Sequence, residues 1–378
     1  MDINNKDNQN MRICSGMYSV LEDGILWMIA EYSNVLLKFN WITKQLINIY
    51  PIPEKVNPLY AHIYFIKKEK HIYIFPYRAN NIYIFDTEKE AFEEIILPLS
   101  EDERKLGAKF AIVTEYNSVF WMIGYNIKGI FTYNILTKEI CRIDIYLLLL
   151  EKSGIDINQP VVSTNYYREE EKLYIPIYKK NYILCIDMKR KEYRIFKIGL
   201  SKEFELRTIT KIDNGFLLTS INDEKIVWSK ENGVEEVIAF NNLNNIRREY
   251  RHVFWVNEKA YYIALCERRI FFEDKKNDVK EIDFDIPFEV DFPERYTQYE
   301  TVFVDGNSIY FQMRENGCFY QLDTMNNTVT QIEFIIPKFM REELNNIVFF
   351  HNEDMMFKEN AVYTLKGYVN KLLNTKKQ

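Results

Sequence analysis

The sequence predicts an all-β protein: a seven-bladed β-propeller of four-stranded antiparallel blades, followed by a short C-terminal α-helix. Three observations predict it. Aromatic residues reach 15% of the 378 residues, and together with β-branched residues they favour strands. Turn signals recur about every 8–12 residues, the spacing of many short strands. One unit of four strands returns seven times along the chain, and a four-stranded sheet covers its apolar faces only by stacking on neighbours around an axis.

The units follow in order. The first is MYSVLEDGILWMIAEYSNVLLKFNWITKQLINIYPIP. The second, AHIYFIKKEKHIYIFPYRANNIYIFDTEKEAFEEIILPLS, is the clearest: alternating strand, charged turn, apolar strand, polar corner, apolar strand, Asp-led turn, final strand. The third (FAIVTEYNSVFWMIGYNIKGIFTYNILTKEICRIDIYL) and fourth (STNYYREEEKLYIPIYKKNYILCIDMKRKEYRIFKIG) repeat that order. So do LRTITKIDNGFLLTSINDEKIVWSKENGVEEVIAF, YRHVFWVNEKAYYIALCERRIFFEDKKNDVKEIDFDIP and YETVFVDGNSIYFQMRENGCFYQLDTMNNTVTQIEFIIP. With only 12 glycines, Asn, Asp and Lys have to form many of the turns.

The boundaries predicted are a flexible segment over 1–14, the propeller over 15–345, and a closing element over 346–378. In the last, Ile347–Phe350 are placed to add to a blade or cap one. Val362, Leu365, Tyr368, Val369, Leu372 and Leu373 recur at helical spacing, with Lys366 and Lys371 beside them.

The hairpins IYIFDTEKEAFEEIILP, FYQLDTMNNTVTQIEFIIP and YILCIDMKRKEYRIFKI carry an Asp that follows an apolar strand and opens a turn. In this they resemble kelch-type repeats, over about residues 15–337. The Gly-Gly doublet and fourth-strand Trp of kelch repeats are absent, so the resemblance implies the fold and no function.

Composition narrows the function classes. The formal charge of −6 and pI near 5.6 argue against a nucleic-acid binder. The amino terminus, MDINNKDNQNMRICSG, has no apolar run, and no stretch is long enough to span a bilayer, so a cytoplasmic location is expected. Five dispersed cysteines suit reduced thiols. No glycine-rich phosphate loop, nucleophile elbow or HExxH helix is present, and no cofactor or metal is expected.

In a propeller the loops between second and third strands share one face with the blade-to-blade connections. Tyr32, Tyr77, Tyr125 and Tyr178 occupy one matching loop position in four consecutive units, and Arg78, Lys128, Lys179, Lys180, Arg268, Arg269 and Arg314 bring cations to that face. Connectors add Arg247, Arg248, Arg295 and Arg341. Tyr rings with Arg forks suit an anionic or glycan-like ligand, or an acidic protein segment. Tyr packed between blades and solvated cations are the plainer account of the same pattern. His62 and His252 both fall on first strands and are the candidates for general acid–base work, set against a purely structural use of both rings. A non-catalytic recognition or scaffold propeller is therefore expected, the alternative being a lyase or hydrolase with its site at the channel mouth.

Overall fold

The computed structural model describes residues 18–30, 33–54, 61–144, 162–177, 180–197, 206–212, 215–220, 225–230, 233–239, 250–264, 270–275, 278–282, 299–313 and 318–351. They form a β-propeller of four-stranded antiparallel blades with a C-terminal helix. The first blade comprises β1 (Ser19–Glu22), β2 (Ile25–Ala30), β3 (Val35–Asn40) and β4 (Gln45–Pro51). The second comprises β5 (His62–Lys68), β6 (His71–Pro76), β7 (Asn81–Asp86) and β8 (Ala91–Ile96). Five more four-stranded sheets begin at β9 (Phe110–Tyr116), β13 (Tyr167–Glu169), β17 (Leu206–Ile212), β21 (Tyr250–Val256) and β25 (Tyr299–Asp305). Every sheet is a simple meander in chain order. First strands approach first strands, as β5 does β9 and β17 does β21, so these strands surround the axis.

The apolar pattern explains why the blades stack. In β6, Ile72 and Ile74 face the first blade beside Trp27 and Tyr50, while Tyr73 and Phe75 face the third beside Phe120 and Met122. A strand buried on both faces reads as a continuous apolar run, which is how HIYIFP and NIYIFD appear. Outer strands such as β8 are exposed or half-buried along their length. Each pair of successive sheets shares an apolar cluster, and the last joins Tyr310, Phe319 and Ile332 to Leu26, Leu37 and Phe39 of the first blade.

The Asp- or Asn-led turns repeat in detail. Asn40, Asp86, Asn134, Asp187 and Asp323 each accept backbone N–H groups two or three residues ahead, at 2.8–3.2 Å. The residue after each, from Trp41 to Thr324, donates its N–H to a carbonyl of its own blade's first hairpin. Lys44, Glu90, Lys138, Lys191 and Asn327 then take positive φ, between 52° and 59°. A side chain there costs about 1 kcal/mol that glycine avoids, partly offset by glycine's greater unfolded freedom. Lys191→Gly is therefore expected to stabilise the protein by roughly 0.5 kcal/mol. Arg190→Gly, one residue earlier and outside the positive-φ positions, should instead destabilise; denaturant titration of both variants checks the contrast.

Ring closure uses an edge contact and a helix. Ile335 pairs in parallel with Gln45 of β4, its N–H reaching the Lys44 carbonyl at 2.7 Å and its carbonyl accepting from Leu46 at 2.9 Å. Helix α1 (Glu101–Lys105) lies between the second and third blades, and α2 (Lys338–His351) ends the described chain. Met340, Leu344 and Ile347 of α2 pack into the cluster shared by the last and first blades. Ile347–Phe350 are thus part of helix α2, and Ile347 packs at the seam. The helical spacing at 362–373 lies outside the described residues.

Candidate functional site

The loop face is built around a repeated irregularity of the inner strands. In β5, β9, β17 and β21 the pairing skips one residue: Ile63, Ala111, Arg207 and Arg251. In β25 the skip falls at Thr301. Such a bulge turns two adjacent side chains to the same side of the strand. Ile63 and Tyr64 accordingly both join the cluster with the third blade, and Ala111 with Ile112 the next one. The carbonyl of the extra residue is met from the preceding blade, by Tyr64 Oη donating to Ala111 (2.7 Å) and Ser163 Oγ donating to Arg207 (2.9 Å).

That register separates the two candidate histidines. His62 pairs with Pro76 before the bulge, and His252 pairs with Ile263 after it. His62 therefore turns back toward the first blade. His252 stacks on Phe254, 5.9 Å between ring centres, and Phe254 packs in the junction of the sixth and seventh sheets. The two rings occupy different blade junctions.

His62 is fully buried. Its Nε2 donates to the Asn81 carbonyl at 3.2 Å, and its Nδ1 lies 2.9 Å from the side-chain oxygen, Oδ1, of Asn34, an amide whose O and N can exchange places by a flip. Asn34 adopts φ 53° at the corner between β2 and β3, which aims that amide across the junction. Burial holds the ring's pKa down to about 4, partly opposed by the Asn81 carbonyl. A neutral imidazole satisfies both contacts when the Asn34 amide presents its NH2 to Nδ1. His62 joins the corners of two blades.

The corner at 77–80 is held in the same manner. The N–H groups of Tyr77, Arg78 and Ala79 converge on the Ala61 carbonyl at 2.9–3.1 Å. In the next blade the N–H groups of Tyr125 and Ile127 reach the Lys109 carbonyl, at 2.7 and 3.4 Å. Tyr77 is half-buried and meets Tyr64 edge-on at 6.2 Å, within the second and third blades' cluster. Tyr125 is half-buried in the following junction. Both rings enter blade junctions, while Arg78 is exposed on the corner. Arg341 lies on α2, where Nη2 donates to the Ile336 carbonyl at 3.4 Å. Tyr32, Tyr178, Arg268 and Arg314 lie outside the described residues.

Lys109 was not singled out by the sequence. It stands directly before β9 where Ala61 stands before β5, and that contrast is the one sequence signal for it. Its side chain is fully buried, with Nζ donating to the carbonyls of Arg78 (2.8 Å) and Leu106 (2.9 Å). Leu106 caps the end of α1, whose start is held by a reciprocal Ser100–Glu103 capping box. Burial lowers the Lys109 pKa to about 8, the negative charge of Glu54 working against the shift and the positive charge of Arg104 adding to it.

Among the described residues no three His, Cys, Asp or Glu side chains converge as a metal site, and Cys141, Cys185 and Cys318 are free thiols. No helix among them is long and apolar enough to cross a membrane.

No family model matches the chain, and no curated protein does. Solved structures do. Virginiamycin B lyase from Staphylococcus aureus aligns with a TM-score of 0.56 at 18% identity, covering 79% of this chain and 91% of that one. The β-propeller domain of Cps50 (Swd1) from Myceliophteria thermophila aligns at 0.54 and 9% identity, covering 82% and 97%. Dihydro-heme d1 dehydrogenase NirN aligns at 0.52 and 7%, covering 84% and 66%. At these identities the likeness establishes the propeller fold alone.

Proposed function

We propose that this chain is a seven-bladed, non-catalytic recognition propeller of the cytoplasm, holding an acidic protein segment or an anionic, glycan-like ligand on its loop face. The blade number is supported by seven four-stranded sheets and by the apolar cluster that returns the last sheet to the first. The kelch likeness adds only the Asp-led turn, which a propeller of another repeat family could equally use. The observation that carries the recognition reading is the role of the buried ionisable groups. His62 and Lys109 are tied to backbone carbonyls and side-chain amides of neighbouring corners, which fixes the loops and leaves Arg78 outside. A rigid corner presenting a guanidinium is preorganised for a carboxylate or phosphate.

Arg78→Ala and Arg268→Ala, tested on an array of acidic peptides and anionic glycans, are each expected to weaken binding about tenfold, the effect of one lost charge-assisted contact. Unchanged binding in both variants, or no ligand for the unaltered chain, sinks the reading. The lyase among the structural neighbours keeps an enzymatic alternative in view. In that case His252 is the better candidate, because the half-buried ring of His252 is nearer solvent than the enclosed His62. Turnover lost on His252→Asn and retained on His62→Asn would favour it.

A further inference from the structure

The seam that closes the ring is apolar on both of its sides, and among the described residues only the inner side is packed. Leu46, Ile336, Met340 and Leu344 are buried in the cluster of the last and first blades. On the outer side Ile335 and Phe339 remain 59% and 63% exposed, Ile47 is 40% exposed, and Ile42 at the head of the adjoining turn is 82% exposed. The parallel pairing of Ile335 with Gln45 sets Ile335 beside β4, its side chain on the same face as Gln45 and Ile47. Phe339 follows one helical turn later, on the side of α2 that also shows Glu342 and Glu343 to solvent.

We propose that this outer face is the docking surface for the chain's own C-terminal segment, residues 362–373. The segment carries the matching pattern: Val362, Leu365, Val369 and Leu372 recur at helical spacing, making one apolar stripe. Charge is complementary. From residue 360 onward the chain has Lys366, Lys371, Lys376 and Lys377 and no acidic residue, whereas Glu342, 4.0 Å from Lys338 of the same helix, and Glu343 are exposed on α2. The chain path allows it. Residues 352–361 can extend about 33 Å, while α2 at 1.5 Å per residue is about 21 Å long, so the stripe can double back along α2 to Phe339 and Ile335. Docking there covers the seam between the last and first blades.

Hydrogen–deuterium exchange on the full chain tests this. Residues 362–373 are expected to be protected, and Ile335→Asp or Phe339→Asp to speed their exchange about tenfold with the other blades unchanged. Both substituted side chains are more than half exposed, so the fold is retained. The reciprocal variants Leu365→Asp and Leu372→Asp should speed exchange over 335–347. Full-rate exchange at 362–373 in the unaltered chain, or protection that survives all four changes, overturns the proposal. Protection that disappears on dilution, with a dimer mass by sedimentation, also overturns it by assigning the segment to a second copy.

Discussion

Replacing His62 by alanine is expected to destabilise the protein by about 3 kcal/mol or more, because it leaves the Asn81 carbonyl and the buried Asn34 amide without their partner and opens a void between two blades. The pH dependence is the more specific signature. The folded ring ionises near pH 4 and an unfolded histidine near 6.5, so between those values the unfolded chain binds the additional proton. The contribution of His62 is fully present above about pH 6.5 and is lost as pH falls toward 4, amounting to about 3 kcal/mol over that window. His62→Asn should be less stable than the unaltered chain at pH 7 and should lose less on acidification. Denaturant unfolding near pH 7 and near pH 4.5 checks this. Equal acid losses in both proteins would show that another group titrates.

The architecture was legible because its causes are local and repeated. Doubly buried strands such as β6 and β7 announce themselves as apolar runs, and Asp86, Asp187 and Asp323 mark turns that their own carboxylates cap. The scarcity of glycine pointed correctly to other turn residues, and positive φ at Lys44, Lys138 and Lys191 supplies them. The loop face was less legible. Tyr77 and Tyr125 align in sequence, but alignment does not say whether a ring enters a junction or the mouth, and both enter junctions. The bulges explain the histidines. One skipped residue in β5 and in β21 changes which neighbour a side chain faces, so two histidines on first strands are parted by register that sequence spacing does not reveal. Asn34 and Lys109 are hard to read from sequence for a related reason, since Asn34 acts through the distant His62 ring and Lys109 through the distant Arg78 carbonyl.

Lys109→Ala is expected to have an effect of similar size and a different local signature. The lysine donates to two carbonyls, of Arg78 in the second blade's corner and of Leu106 at the end of α1, from a position with no solvent exposure. Each buried acceptor left unmet costs about 1–3 kcal/mol, so a loss of about 3 kcal/mol is expected, with cavity formation added. Lys109→Met fills the space and restores neither bond, so it should recover only the packing part. Burying an ammonium without an ion pair opposes folding, and this separates the site from an ordinary anchor. The folded pKa near 8 lies below the unfolded value of 10.5, so the unfolded chain holds the proton more tightly across that interval. The contribution of Lys109 therefore rises as pH climbs from about 8 to 10.5, and that rise should be absent from Lys109→Met. In both variants the amides of Tyr77, Arg78 and Ala79 should exchange faster than those of β6, because the corner loses its bond to the Lys109 ammonium, keeping the Ala61 carbonyl and the Lys109 N–H on the Tyr77 carbonyl, while the strand keeps its ladder. Unaltered exchange at that corner, together with an unaltered alkaline limb, would mean that the backbone bonds to the Ala61 carbonyl and from the Lys109 N–H hold the loop and that the Lys109 side chain is a passenger in the junction.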